Sequence, residues 1–317
     1  MLVEIDDIRK AAATIDGVAV RTPLLANPYR SDLLLKPECL QPIGAFKIRG
    51  AVHAVASLPA QVRGVITHSS GNHGQALAFA AARVGLPCVV VMPDVAPSVK
   101  IEAVRRLGAE VELVPPAQRL PRTEELAAQR GLAIVPPFDD AHVIAGQGTL
   151  GLEIAADAPA ELAAVLVPVG GGGLASGVAT AIAALRPDTR VIGVEPALAA
   201  DAADSLAAGE LVPWPVEQTV RTVADGLRTS LSPLTFAHLR ARLAGVVTVS
   251  EEEILSTVGI LAREYRIVAE PSGAVAPAAW LHQAEAIRAR FALGAGPVVA
   301  IVSGGNVEPS VLAGLLR

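Results

Sequence analysis

Lys47 stands between Phe46 and Ile48 in the stretch PIGAFKIRGA (residues 42–51), where a charge is costly to bury. The chain has only four lysines, the others being Lys10, Lys36 and Lys100, and it draws its remaining basic residues from arginine. Arginine supplies a fixed charge, whereas lysine can lose its proton and attack a carbonyl. Lys47 is therefore a candidate nucleophile and base. Three other stretches could hold a ligand against it. HSSGNHG (residues 68–74) offers hydroxyls, an amide and backbone N–H groups suited to a carboxylate. GGGGL (residues 170–174) precedes a helical pattern, so its N–H groups, unobstructed by Cβ, form a phosphate cradle at a helix N-terminus. SGGN (residues 303–306) ends an apolar run with a hydroxyl. One Gly-rich turn is often only a tight connection, but three after the carboxyl ends of strands mark a ligand edge. Gly170, Gly172 and Ala175 also match GxGxxA, and Glu195 lies about twenty residues on, where a ribose-binding acid would sit. A nicotinamide-dependent oxidoreductase is thus one reading, although it leaves Lys47 and the Ser/Asn turn without a task.

Strands and helices must bring these stretches together. Val65 to His68 is a short β-branched run, and the helix after it carries Ala76, Leu77, Ala80, Ala81 and Val84 on its apolar side until Gly85 ends it. A strand at Cys88 to Met92, a helix at Pro97 to Leu107 stopped by Gly108, and a strand at Glu110 to Val114 continue the βαβ pattern. The second half repeats it with a strand at Ala164 to Val169, a helix at Leu174 to Leu185 and a strand at Val191 to Glu195. Gly296 to Val302 then runs straight into Ser303. The expected fold is α/β with two open twisted parallel-sheet domains. Residues 52–140 form the smaller one, inserted into a larger one made of residues 1–51 and 141–317.

Composition agrees. The chain is 52% apolar but only 3% aromatic, as suits helices packed on buried parallel strands. A net charge of -5 spread without blocks speaks against nucleic acid, which needs clustered Lys and Arg. Cys39 and Cys88 fit neither a CxxC pair nor a metal spacing, which suggests a reducing compartment. The N-terminus lacks the uncharged run of a signal peptide, and Arg83, Gly85 and Pro87 break the apolar runs short of a bilayer span. A cytoplasmic location and no membrane partner are expected.

A pyridoxal phosphate enzyme employs every one of these features. Its cofactor needs a lysine, a phosphate cradle, and partners for the ring oxygen and nitrogen. The sequence resembles the serine/threonine dehydratase and serine racemase family, fold type II of the pyridoxal phosphate enzymes (tryptophan synthase β-like). The resemblance rests on LKPECLQPIGAFKIRGA (35–51), THSSGNHGQALA (67–78), VIAGQGTLGLEI (143–154), VPVGGGGL (167–174), TVADGLRTS (222–230), AEPSGAV (269–275) and VSGGN (302–306), in colinear order over nearly the whole chain.

The resemblance implies pyridoxal 5'-phosphate as cofactor, with Lys47 as the lysine that binds it and Phe46 against its ring. It assigns Asn72 to the ring hydroxyl, Gly170, Gly171, Gly172, Gly173 and Leu174 to the phosphate, and Ser303 to the ring nitrogen. Ser69, Ser70, Gly71, Asn72 and His73 would bind the substrate, and Ser70 would be a second proton-exchanging residue in the racemase branch. His73 and His68 otherwise read as turn and packing histidines. In that branch Glu195, the carbonyl of Ala199 and Asp201 would hold Mg²⁺ or Ca²⁺, a set suited to a hard cation. A homodimer acting on a small amino acid is implied. The segment at residues 113–131 departs from the family in being short and without tyrosine, and Glu124 falls where some racemases have an arginine. Arg119 or Arg122 could substitute. The activity expected is threonine/serine ammonia-lyase, with serine racemase or 3-hydroxyaspartate dehydratase as the alternatives.

Overall fold

The computed structural model describes residues 2–69, 71–96 and 98–316. Parallel strands covered on both faces need unbroken apolar runs, and AVLVP, CVVVMP and VVAIV are buried along their whole length. Ten strands are formed among the described residues: β1 (Leu25–Asn27), β2 (Arg30–Pro37), β3 (Val65–His68), β4 (Cys88–Pro93), β5 (Glu110–Val114), β6 (Ala133–Ile134), β7 (Ala164–Pro168), β8 (Arg190–Pro196), β9 (Gly245–Val249) and β10 (Val298–Val302).

They make two sheets. The larger has the order β1-β2-β10-β7-β8-β9 and is parallel except for the β1–β2 hairpin. The smaller, β5-β4-β3-β6, is parallel throughout. At the centre of the large sheet Ala300 of β10 lies opposite Leu35 on one side and Leu166 on the other. The architecture is α/β with two parallel-sheet domains, as the sequence pattern suggests. Bounds differ slightly from that pattern. The helix after β4 spans Ser98–Arg106, and β10 starts at Val298 because Pro297 has no N–H to give to a ladder. Among the described residues no helix is long and apolar enough to cross a membrane.

One buried polar cluster ties the N-terminal segment, β2 and two helices together. Arg49 is fully buried and donates to Glu38 (2.7 and 2.9 Å) and Glu153 (2.7 and 3.0 Å). Lys36, also fully buried, donates to Glu153 at 2.6 Å and to the Thr22 carbonyl at 2.5 Å. Lysine is thus not reserved for chemistry in this chain. Lys36 serves as a fixed buried charge, and its carboxylate partner is what distinguishes it from Lys47.

Candidate active site

Lys47 opens the helix Lys47–Ala56. The turn before it needs Gly44 at φ +70°, a conformation that L side chains rarely adopt. This turn is stapled to the end of β10. The Phe46 N–H donates to the Ser303 carbonyl at 3.1 Å, and the Gly305 N–H donates to the Gly44 carbonyl at 2.9 Å. Lys47 is therefore delivered to the carboxyl edge of the large sheet beside the SGGN turn. Its Nζ donates to the Pro137 carbonyl at 2.7 Å and lies 5.0 Å from the centre of the Phe46 ring. No described carboxylate pairs with it, and burial pulls the amine down to about 8. Burial alone produces this shift, so the neutral amine needs no neighbouring cation.

The glycine turn follows β7. Gly170 to Leu174 are all buried, and Gly172, at φ +85°, leads into the helix Gly173–Leu185. The first helical bond runs from the Ser176 N–H to the Gly172 carbonyl at 2.8 Å. Among the described residues the N–H groups of Gly171 to Leu174 find no protein acceptor. Buried amides without acceptors are costly, and an anion at the helix N-terminus answers them. Phe138 packs so closely that a Cβ on Gly171 would lie 2.3 Å from its ring. Pro137 and Phe138 thus join Lys47 to the glycine turn.

The turn after β3 is only partly described, because Ser70 lies outside the described residues. The Ser69 hydroxyl accepts from the Gly71 N–H at 3.3 Å, and Asn72 begins the helix Asn72–Arg83. Asn72 crosses to the large sheet. Its Nδ2 donates to Glu270 at 2.6 Å, and its Oδ1 accepts from Asn306 at 2.7 Å. His73 turns away from this edge. Its ring is buried and bonded to the Val135 carbonyl at 2.9 Å, while burial and the nearby Lys47 charge push it down to about 3. It is a neutral histidine held at Nε2 by the Val135 carbonyl, while its buried Nδ1 has no hydrogen-bond partner among the described residues. The Ser303 hydroxyl is buried and donates to the Ser272 carbonyl at 3.3 Å.

Glu270 is the site residue without an assigned role in the sequence reading. It is 5% exposed and sits against Gly304, where a Cβ would lie 2.2 Å from its Oε1. Burial and the charge of Asp225 push it up to about 7, against the Asn72 hydrogen bond. The signal for it was a lone acid between an alanine and a proline in AEPSGAV.

Glu195, Ala199 and Asp201 lie at the end of β8 and the start of the helix Asp201–Ala208, and β8 pairs with β7, the strand that feeds the glycine turn. Glu195 is wholly buried and accepts from the Ala202 and Ala203 N–H groups at 3.0 and 2.8 Å; Asp201 accepts from the Leu231 N–H at 3.0 Å. Burial raises Glu195 well above the carboxylate range and Asp201 to about 6. No described basic side chain forms an ion pair with either acid. Among the described residues no three His, Cys, Asp or Glu side chains cluster to hold a metal, and a cation here would depend on carbonyl and water oxygens as well.

The chain matches the family model described as "Pyridoxal-phosphate dependent enzyme" over residues 15–304. The chain belongs to that family. Within it the chain is similar to serine racemases and threonine dehydratases. A serine racemase of Arabidopsis thaliana is 40% identical over 289 residues, covering 88% of this chain and 86% of that protein. A β-hydroxyaspartate dehydratase of Paracoccus denitrificans is 39% identical over 312 residues, covering 96% of each. Among solved structures, a threonine deaminase from T.th. superposes with a TM-score of 0.89 at 41% identity, covering 96% of this chain and 99% of that one. The nicotinamide reading falls with this membership. The residues suit the cofactor of the pyridoxal-phosphate family: an amine depressed by burial, a row of buried amides without acceptors, and a hydroxyl at the end of β10.

Proposed function

We propose that the protein is an ammonia-lyase that converts a small β-hydroxy amino acid, L-threonine or L-serine first, to a 2-oxo acid and ammonia. The observation that carries this reading is the buried Lys47 amine, unpaired with any described carboxylate, where three turns converge. Pyridoxal 5'-phosphate, when bound, supplies a carbonyl for the lysine and a ring that spreads negative charge from the substrate Cα. Lys47 would hold it covalently, Phe46 would flank its ring, and Asn72 would meet the ring hydroxyl. Gly170 to Leu174 would cradle the phosphate. The Ser303 hydroxyl, unlike a carboxylate, leaves the ring nitrogen largely unprotonated, so expulsion of a β-substituent competes well with reprotonation at Cα.

Ser69, Gly71 and the backbone at Asn72 and His73 would bind the substrate carboxylate; Ser70 belongs to the same turn. Lys47, when neutral and not bonded to the cofactor, would accept the Cα proton. The electron pair forms the Cα–Cβ double bond as the Cβ–O bond breaks, and the hydroxyl leaves as water on taking a proton. The released enamine tautomerises, adds water and loses ammonia. Since only the unprotonated amine can act, turnover should rise with pH through about 8. A pH–rate profile checks this, and a flat profile across that range would count against Lys47 as the base.

Glu195, the Ala199 carbonyl and Asp201 are proposed to hold Mg²⁺ or Ca²⁺. Asp201 titrates at about 6 when folded, against about 3.9 in an unfolded chain. Between those values the folded chain keeps a proton that the unfolded chain has lost, so stability falls as pH rises and the full cost stands above about 6. A cation favours the ionised acids. Mg²⁺ or Ca²⁺ should raise the melting temperature above that pH and have little effect at about pH 4, close to the unfolded value. Thermal shift measures it, and no cation effect at any pH would remove the site.

The similarity to a racemase and to a β-hydroxyaspartate dehydratase keeps those activities as alternatives. A keto-acid release screen over L-Thr, L-Ser, D-Ser and the 3-hydroxyaspartates, with and without Mg²⁺, tests the proposal. Chiral analysis of recovered serine separates racemisation from elimination. Release from L-Thr or L-Ser is expected, and release confined to a hydroxyaspartate would replace the substrate assignment.

A further inference from the structure

One ion pair bridges the two sheets. Lys100, on the helix Ser98–Arg106, pairs with Asp225 in the short turn Asp225–Leu227. Of the ion pairs among the described residues, it alone joins residues 52–140 to the rest of the chain. Asp225 is also the outer end of a hydrogen-bonded chain. Its Oδ1 accepts from the Ser272 hydroxyl at 3.4 Å, that hydroxyl accepts from the Gly226 N–H at 2.9 Å, and the Ser272 carbonyl accepts from the Ser303 hydroxyl at 3.3 Å. A second bridge lies deeper, where Asn72 donates to Glu270 at 2.6 Å. The two bridges converge, because the charges of Asp225 and Lys100 both reach Glu270.

We propose that Lys100 and Asp225 are positioning residues whose pairing ties residues 52–140 to the large sheet and, through Asp225, acts on Glu270 and on the Ser272 carbonyl that orients the Ser303 hydroxyl. This rests on the functional reading above for what the ring contacts are, but not for the contacts themselves. Neither residue touches the lysine or the glycine turn in the hydrogen bonds of this structure.

The two partners act on Glu270 with opposite sign, which separates positioning from bracing. Burial raises Glu270 most; Asp225 raises it further, while the Asn72 hydrogen bond and the Lys100 charge lower it. The Cys39 thiol also faces it and is held up near 12, chiefly by burial, so it stays neutral. Lys100→Gln removes a lowering charge, so Glu270 should keep its proton to higher pH. Asp225→Asn removes the larger, raising charge, so Glu270 should lose its proton at lower pH even if Lys100 swings free.

The experiment is a carboxyl ¹³C NMR titration of holoenzyme labelled at glutamate Cδ, with the Glu270 signal identified by its loss in Glu270→Gln. The wild-type midpoint is expected above the ordinary glutamate range. It should move up in Lys100→Gln, move down in Asp225→Asn, and return to the wild-type value in Lys100→Arg. Shifts of the same sign in both variants, or no shift in either, would overturn the proposal, since a contact that only braces the fold is broken equally by both. The midpoint reads Glu270 whichever amino acid the enzyme turns over, so a wrong substrate assignment would leave this test standing.

Discussion

Lys47→Ala should lose turnover by at least about 10³-fold, because the residue is proposed both to bind the cofactor covalently and to act as the base. The same variant should lack the visible absorbance of lysine-bound cofactor. Stability should change little, since the only described hydrogen bond that Lys47 makes is to the Pro137 carbonyl. Lys47→Arg separates charge from chemistry. A guanidinium keeps its proton at any working pH and cannot serve as base, so this variant should be as inactive as the alanine one. Keto-acid release and an absorbance spectrum on the same samples check both. Activity retained in Lys47→Arg would show that a fixed charge suffices.

The largest loss of stability is expected from Arg49→Met. It leaves Glu38, wholly buried, without its bidentate partner, and breaking a buried pair from one side costs about 3–5 kcal/mol. In the wild type, burial pushes Glu38 up, but Arg49 and the hydrogen bonds from Arg49 and Thr22 outweigh it and hold the carboxyl below its ordinary value. A depressed acid contributes stability that is present above the unfolded value, about 4.3, and is lost as pH falls through the folded one. Without Arg49 the burial effect prevails and the sign reverses. The stability gap between wild type and variant should therefore be wide at neutral pH and narrow in acid. Denaturant unfolding at several pH values measures this, and the double variant Arg49→Met with Glu38→Gln should recover part of the loss.

What was legible in the sequence was whatever announces itself locally. Continuous apolar runs gave the parallel strands, and four consecutive glycines before a helical pattern marked the turn whose buried amides find no described acceptor. Lys47 stood out because few lysines sit among apolar neighbours. Lys36 shows the limit of that argument, since its partner Glu153 is 117 residues away in sequence and the pairing was invisible. Glu195 carried two readings, for the spacing alone fits both a ribose ligand and a cation ligand, and family membership removes the first. His73 sat within a ligand-binding motif, yet its ring faces Val135. Glu270, Asp225 and Lys100 come from three separate stretches, and their meeting is set by how the two sheets face each other. No local pattern encodes that.

The most direct test of Lys47 as the cofactor-binding residue is to reduce the holoenzyme with borohydride and map the pyridoxyl label by mass spectrometry. With four lysines in the chain, the possible answers are few. One label per chain, on Lys47, is the expected result. A label on Lys10, Lys36 or Lys100, or none on a protein that still turns substrate over, would contradict it.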